Sequence, residues 1–126
     1  MKKMMISTSE RYFKALSDLD REAYLSCFSE NAELLDPYGG RQFDGREGLE
    51  KWFSGMERTW SKFSMKPSDF FPSGDRVAVP WVADATAKSG KTAKFSGINV
   101  FTVDESGLIV RLEGYWDASA MMSQIS

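Results

Sequence analysis

The chain has 126 residues, 42% of them hydrophobic and 13% aromatic, enough for one packed domain and too apolar for a disordered segment. A net charge of −2 with both signs interspersed excludes a nucleic-acid surface, which needs a basic patch against phosphate. There is no histidine and one cysteine, Cys27, so His-based triads, His zinc sites and intrachain disulfides are excluded. Asp, Glu, Lys and Tyr remain as proton-transfer groups. The apolar part of Met1–Ile6 is too short for a signal peptide and no stretch suffices to span a bilayer. These bounds predict a soluble, cytoplasmic protein of one domain over 1–126.

In chain order, Ser7 and Glu10 have the spacing of a capping box and predict the start of a helix that carries Tyr12, Phe13, Leu16 and Leu19 on one face. Asp20 can cap a second helix with Tyr24, Leu25 and Phe28, ending among the turn formers Ser29, Glu30 and Asn31. Cys27 falls on that apolar pattern and reads as a buried structural thiol. Ala32 to Asp36 reads as a short strand, with Ala32, Leu34 and Asp36 on one face, stopped by Pro37. Asp44 and Glu47 open a third helix on which Leu49, Trp52, Phe53, Met56 and Trp60 recur at the helical period.

Beyond Trp60 the pattern changes to strands. Phe63 and Met65 alternate with polar residues, and Pro67 and Pro72 bracket a break. Val77 to Ala87 and Thr92 to Val103 flank the hairpin signal Ser89-Gly90-Lys91. Asp104 to Gly107 turns the chain into a last strand over Leu108 to Asp117, and Ala118 to Ser126 reads as a short frayed tail. Helices first and antiparallel strands after predict an α+β fold, a curved antiparallel sheet with the helices packed on one face.

Three polar side chains fall in apolar surroundings. Asp36 ends a strand, Tyr12 lies on the apolar face of the first helix, and Asn99 shares a strand face with Phe95, Gly97, Phe101 and Val103. Each has a plain alternative: a turn-forming Asp before Pro, a core Tyr with a wet hydroxyl, an Asn bonded to backbone at a bulge. Both faces of the Asn99 strand are apolar, so periodicity leaves its inward face open. If the three meet in a cavity, a carboxylate base stands with two neutral hydrogen-bond donors, a set suited to chemistry next to a carbonyl. Phe28, Phe53, Met56, Trp81, Leu112 and Trp116 are the candidates for the apolar, substrate-binding wall.

These residues resemble ketosteroid isomerase, within the NTF2-like and SnoaL-like superfamily. The resemblance is carried by Arg11-Tyr12, by Asn31 to Gly39 with its Asp36-Pro37-Tyr38-Gly39 element, by Gly45-Arg46-Glu47, and by Asp104 to Gly107 and Tyr115-Trp116. It implies a cone-shaped, cystatin-like α+β fold that assembles as a homodimer. It also implies Asp36 as the catalytic base and Tyr12 as the oxyanion-hole tyrosine, with no metal or organic cofactor. The chain departs from the family at two places. Asn99 stands where the family has a protonated Asp, and Phe53 and Phe28 stand where it can have tyrosines behind the catalytic one.

The chemistry this implies is proton abstraction α to the carbonyl of a small apolar substrate, with Tyr12 and Asn99 donating to the enolate oxygen. A polyketide cyclase would use the same Asp36 for an aldol closure, and a binding module would use the same fold to hold an apolar ligand. A histidine-dependent dehydratase has no histidine to use. An epoxide hydrolase needs paired Asp, Arg and Asp, whereas Arg111 and Glu113 read as a surface pair.

Overall fold

The computed structural model describes residues 1–126. Helix α1 spans Lys2–Ser17 with Met1 at its N-cap, well ahead of the Ser7 cap that the Ser7/Glu10 spacing predicts. Met5, Thr8 and Ser9 are buried, so packing extends the helix past its local cap signal. The Thr8 hydroxyl donates to Gly107 O at 2.8 Å and ties the helix to a distant turn. Ser9 donates back to the Met5 and Ile6 carbonyls, which satisfies its hydroxyl inside the helix.

Helix α2 is Arg21–Leu25, capped by Asp20, whose carboxylate accepts from Ala23 N. It ends before Phe28, which opens strand β1 (Phe28–Leu35) instead of continuing the helix. Ser29 to Asn31 are therefore strand and not turn. Ala32, Leu34 and Asp36 are buried on one face. A short strand β2 (Gln42–Asp44), hidden in the sequence by its length, pairs with β1 and leads into helix α3 (Gly45–Thr59). The Asp44 carboxylate accepts from Gln42 Nε2 and leaves the helix N-terminus without a side-chain cap. Trp60 takes extended φ and ψ and begins β3 (Trp60–Pro67) in place of a last helical turn.

Strand β4 is Phe71–Ser73, β5 is Arg76–Ala87, β6 is Thr92–Val103 and β7 is Ile109–Tyr115. The sheet order is β2-β1-β7-β6-β5-β3, with β4 paired to β5. All pairs are antiparallel except β1 with β7, which run parallel. That pair is non-local, and alternation within either strand carries no information on direction. Asn99, Phe101 and Val103 are buried, so the aromatic face of β6 points inward. The tail is ordered: Asp117 accepts from Ala120 N and starts helix α4 (Ala118–Ile125). Gln124 clamps α4 to β6 by donating to Lys94 O and accepting from Lys94 N. No helix is long and apolar enough to cross a membrane.

Candidate active site

Helices α1 and α3 and the inner face of the sheet line an open cavity of about 920 Å3, of a size that holds a small organic molecule, with Arg21, Arg41, Glu47, Glu50, Lys51 and Arg58 among its charged lining. Tyr12, Asp36, Trp81 and Trp116 line its inner end. Leu16, Phe63, Met65 and Phe95 line its apolar sides, and Met121 and Met122 of α4 reach its wall. Trp81, Phe95 and Trp116 form one aromatic surface, with ring centroids 5.6 to 6.5 Å apart.

Asp36 follows β1 directly, on the buried face, and the Asp36–Pro37 peptide is cis. Its side chain is only 5% exposed. Trp116 Nε1 donates to its Oδ1 at 2.6 Å, and Trp52 Nε1 donates to its backbone oxygen at 3.1 Å. Burial raises its pKa from the ordinary 3.8 to about 6, against the opposing pull of the Trp116 hydrogen bond. A carboxylate so poised can both take and return a proton near neutral pH.

Tyr12 and Asn99 are fully buried. The Tyr12 hydroxyl and Asn99 Nδ2 have no hydrogen-bond partner, against the rule that buried polar atoms are paired. Burial and the nearby Asp36 charge hold the Tyr12 pKa well above its usual value, so the phenol stays protonated and able to donate. The Asn99 amide is close enough to favour the phenolate, yet not in hydrogen-bonding geometry. The other end of that amide is satisfied, since Oδ1 accepts from Trp81 Nε1 at 2.9 Å.

Tyr12, Asp36, Met56, Trp81 and Trp116 thus line one cavity. Asn99 does not line it but lies beside Tyr12. Phe28, Phe53 and Leu112 pack in the core and do not reach the wall. Phe28 and Phe53 surround Tyr24, another fully buried tyrosine whose hydroxyl is unpartnered. Cys27 is a buried thiol raised by desolvation to about 11, which leaves it unreactive. Arg111 pairs with Glu33 at 3.1 Å and Glu113 at 3.6 Å.

Sequence reasoning passed over Gly114, which is paired with Asn99 across the β6–β7 ladder. A Cβ at Gly114 would collide with Asp36 Oδ1 and stand 3.2 Å from Asn99 Oδ1, so the missing side chain makes room for the carboxylate. A glycine on the inward face of an apolar strand was the available signal. Trp52, expected on the apolar face of the third helix, lines the cavity, stacks on Tyr24 at 5.6 Å and holds the Asp36 backbone, contacts that its spacing does not reveal. The wall contribution of α4 had a signal too, in Asp117 at an N-cap position ahead of Met121 and Met122.

Comparison with known proteins gives a consistent frame. The model of the SnoaL-like domain matches residues 9–112. Curated protein sequences give no match. Among solved structures, the Δ5-3-ketosteroid isomerase from Mycobacterium sp. is similar with a TM-score of 0.82 at 23% identity, over 94% of this chain and 96% of that one. RV0760c from Mycobacterium tuberculosis, in complex with estradiol-17β-hemisuccinate, is similar with a TM-score of 0.82 at 21% identity, over 93% and 96%. The epoxide hydrolase/cyclase-like enzyme SalBIII, of pyran ring formation in the polyether salinomycin, is similar with a TM-score of 0.83 at 22% identity, over 94% of each chain. At these identities the likeness establishes the cone-like α+β fold.

Proposed function

The chain belongs to the SnoaL-like family, and on that premise we propose that it is a cofactor-independent enzyme that moves a proton α to the carbonyl of a small apolar substrate. One observation carries the reading: a buried carboxylate at the inner end of an apolar cavity, beside a buried tyrosine hydroxyl with no partner. A ligand carbonyl oxygen is the acceptor that hydroxyl lacks.

In the proposed reaction Asp36 takes a proton from the α-carbon. The C–H bond breaks, an O–H bond forms on the carboxylate, and the electron pair moves to the carbonyl oxygen as an enolate. Tyr12 donates to that oxygen as charge builds, with the buried Asn99 amide behind it, off the cavity wall. Where the substrate carries a β,γ-double bond the enolate is a dienolate, and Asp36 returns the proton to its γ-carbon and recovers its charge, which gives net isomerisation to the conjugated ketone. Trp81, Phe95 and Trp116 offer an aromatic surface of mutually inclined rings for a ring substrate. The same surface favours, as a second reading, an intramolecular aldol closure of a folded polyketide with the same base.

The test is conversion of cyclohex-3-en-1-one to its conjugated isomer, followed by ultraviolet absorbance. The wild type is expected to catalyse it and Asp36→Asn to abolish it. Equal turnover by Asp36→Asn would sink the assignment of the base. Homodimerisation through the outer face of the sheet belongs to the same proposal. Val82, Ile98 and Tyr115 are exposed there, with Tyr38 stacked on Tyr115 at 5.5 Å. Sedimentation would check it, with a monomer at micromolar concentration as the contrary result.

A further inference from the structure

We infer that Trp81 is a positioning residue: its indole N–H holds Asn99 Oδ1 and so turns the Asn99 amide nitrogen toward the hydroxyl of Tyr12, the residue of the pair that lines the cavity. The inference rests on the proposed enolate chemistry for its purpose, and on the hydrogen-bond geometry for its substance.

The register of the sheet explains how an indole on β5 reaches a side chain on β6. Trp81 is paired with Gly97, and Asn99 lies two residues further along the same inward face. Gly97 has no side chain to stand between them. A Cβ at Gly97 would lie 2.8 Å from Trp81 Cζ2 and 2.8 Å from Trp116 Cβ, so the indole can lie across β6 only because that position is glycine. The bond to Asn99 Oδ1 is 2.9 Å long and fully buried.

The chemistry of the two groups then fixes the amide. An indole nitrogen only donates, so the amide atom facing it must be the oxygen. Nδ2 is left on the opposite side, buried and without a partner. Its influence on Tyr12 is that of a donor, since it favours the phenolate. A free asparagine can present either end. With its oxygen turned inward, it would repel an enolate rather than stabilise it. Trp81 removes that choice, and it does so with a group that does not titrate.

Trp81→Phe keeps an aromatic ring and removes only the donor. With cyclohex-3-en-1-one as probe, kcat is expected to fall about 10- to 100-fold, less than the roughly 100- to 1,000-fold typical of losing a donor outright. Asn99→Ala should cost more, and Trp81→Phe combined with Asn99→Ala should be no slower than Asn99→Ala alone. A merely structural role would instead make the two losses multiply, and that result overturns the inference, as does wild-type kcat in Trp81→Phe.

A second measurement needs neither turnover nor the variant. In the wild type, 4-nitrophenolate is expected to shift the Asn99 side-chain amide protons downfield, and those protons should show nuclear Overhauser contacts to the Tyr12 ring. If the contacts run to the Trp81 ring alone, or the amide protons do not respond, the orientation is wrong. Should Asp36→Asn keep full activity while the amide still responds, the enolate chemistry fails and the positioning stands.

Discussion

Trp116 Nε1 donates to Asp36 Oδ1 across 2.6 Å, so the carboxylate in the cavity has one oxygen engaged and a set orientation. Two influences on Asp36 oppose each other there. Burial favours the neutral acid and the indole favours the anion, and burial wins, leaving the pKa at about 6. Trp116→Phe removes the weaker influence. The Asp36 pKa is expected to rise further, on the order of one unit for a charge-assisted hydrogen bond of about 1.5–3 kcal/mol partly replaced by water. Carbonyl-region NMR of 13C-labelled Asp36 would measure it, and an unchanged or lowered pKa would contradict the role given to the indole.

The pH dependence of turnover follows from the same residue. Asp36 must be ionised to accept a proton, so kcat/KM is expected to rise with unit slope as pH increases and to level off above about 6. Asn99 does not titrate, and the Tyr12 hydroxyl ionises only well above its usual pKa. The plateau should therefore extend past pH 9 on the probe ketone. A second limb on the acid side would require another titrating group in the site.

Asp36 also carries a stability penalty with a definite sign. Its folded pKa lies above the unfolded one, so the unfolded chain ionises first as pH rises. Below the ordinary 3.8 both states are protonated and there is no penalty; it grows through the interval up to about 6 and persists above it. The shift corresponds to about 3 kcal/mol at pH 7. Asp36→Asn is expected to be more stable than wild type at pH 7, by up to that amount, and to lose the advantage near pH 4. Urea unfolding at the two pH values tests this, and equal stability at pH 7 would mean the carboxylate is well solvated.

Tyr12→Phe separates catalysis from folding. The hydroxyl has no partner, so its removal costs no protein hydrogen bond and relieves an unpaired buried group. Thermal stability should be unchanged or slightly higher, while kcat on the probe ketone falls roughly 100- to 1,000-fold. A large loss of stability with intact activity would be the opposite of what the geometry implies.

Gly114→Ala tests the space left for the carboxylate. The added methyl would collide with Asp36 Oδ1 and crowd Asn99. Over-packing of this kind costs about 1–3 kcal/mol, and displacement of Asp36 should lower kcat at least tenfold. Calorimetry and turnover of the same sample measure both, and a silent variant would show that Asp36 can move freely.

Local signals in the chain were enough for much of this molecule. Asp20 before α2, the Ser89-Gly90-Lys91 hairpin and the alternation of β5 each depend on neighbours close in sequence, and each was legible. The superfamily was legible from Asp36-Pro37-Tyr38-Gly39 and Gly45-Arg46-Glu47, and so was the alternation that buries Asp36 with Ala32 and Leu34. What stayed hidden was decided by partners far along the chain. Thr8 meets Gly107, and α1 runs back past its cap signal to Lys2. β1 lies parallel to β7, a direction no residue in either strand encodes alone. The same holds for the site: the sequence by itself marked Asp36, Tyr12 and Asn99 as polar groups in apolar company, because burial periodicity is local. Only the tertiary structure decided which indole holds which of them, because Trp116 reaches Asp36 and Trp81 reaches Asn99 across strands that meet when the sheet has formed.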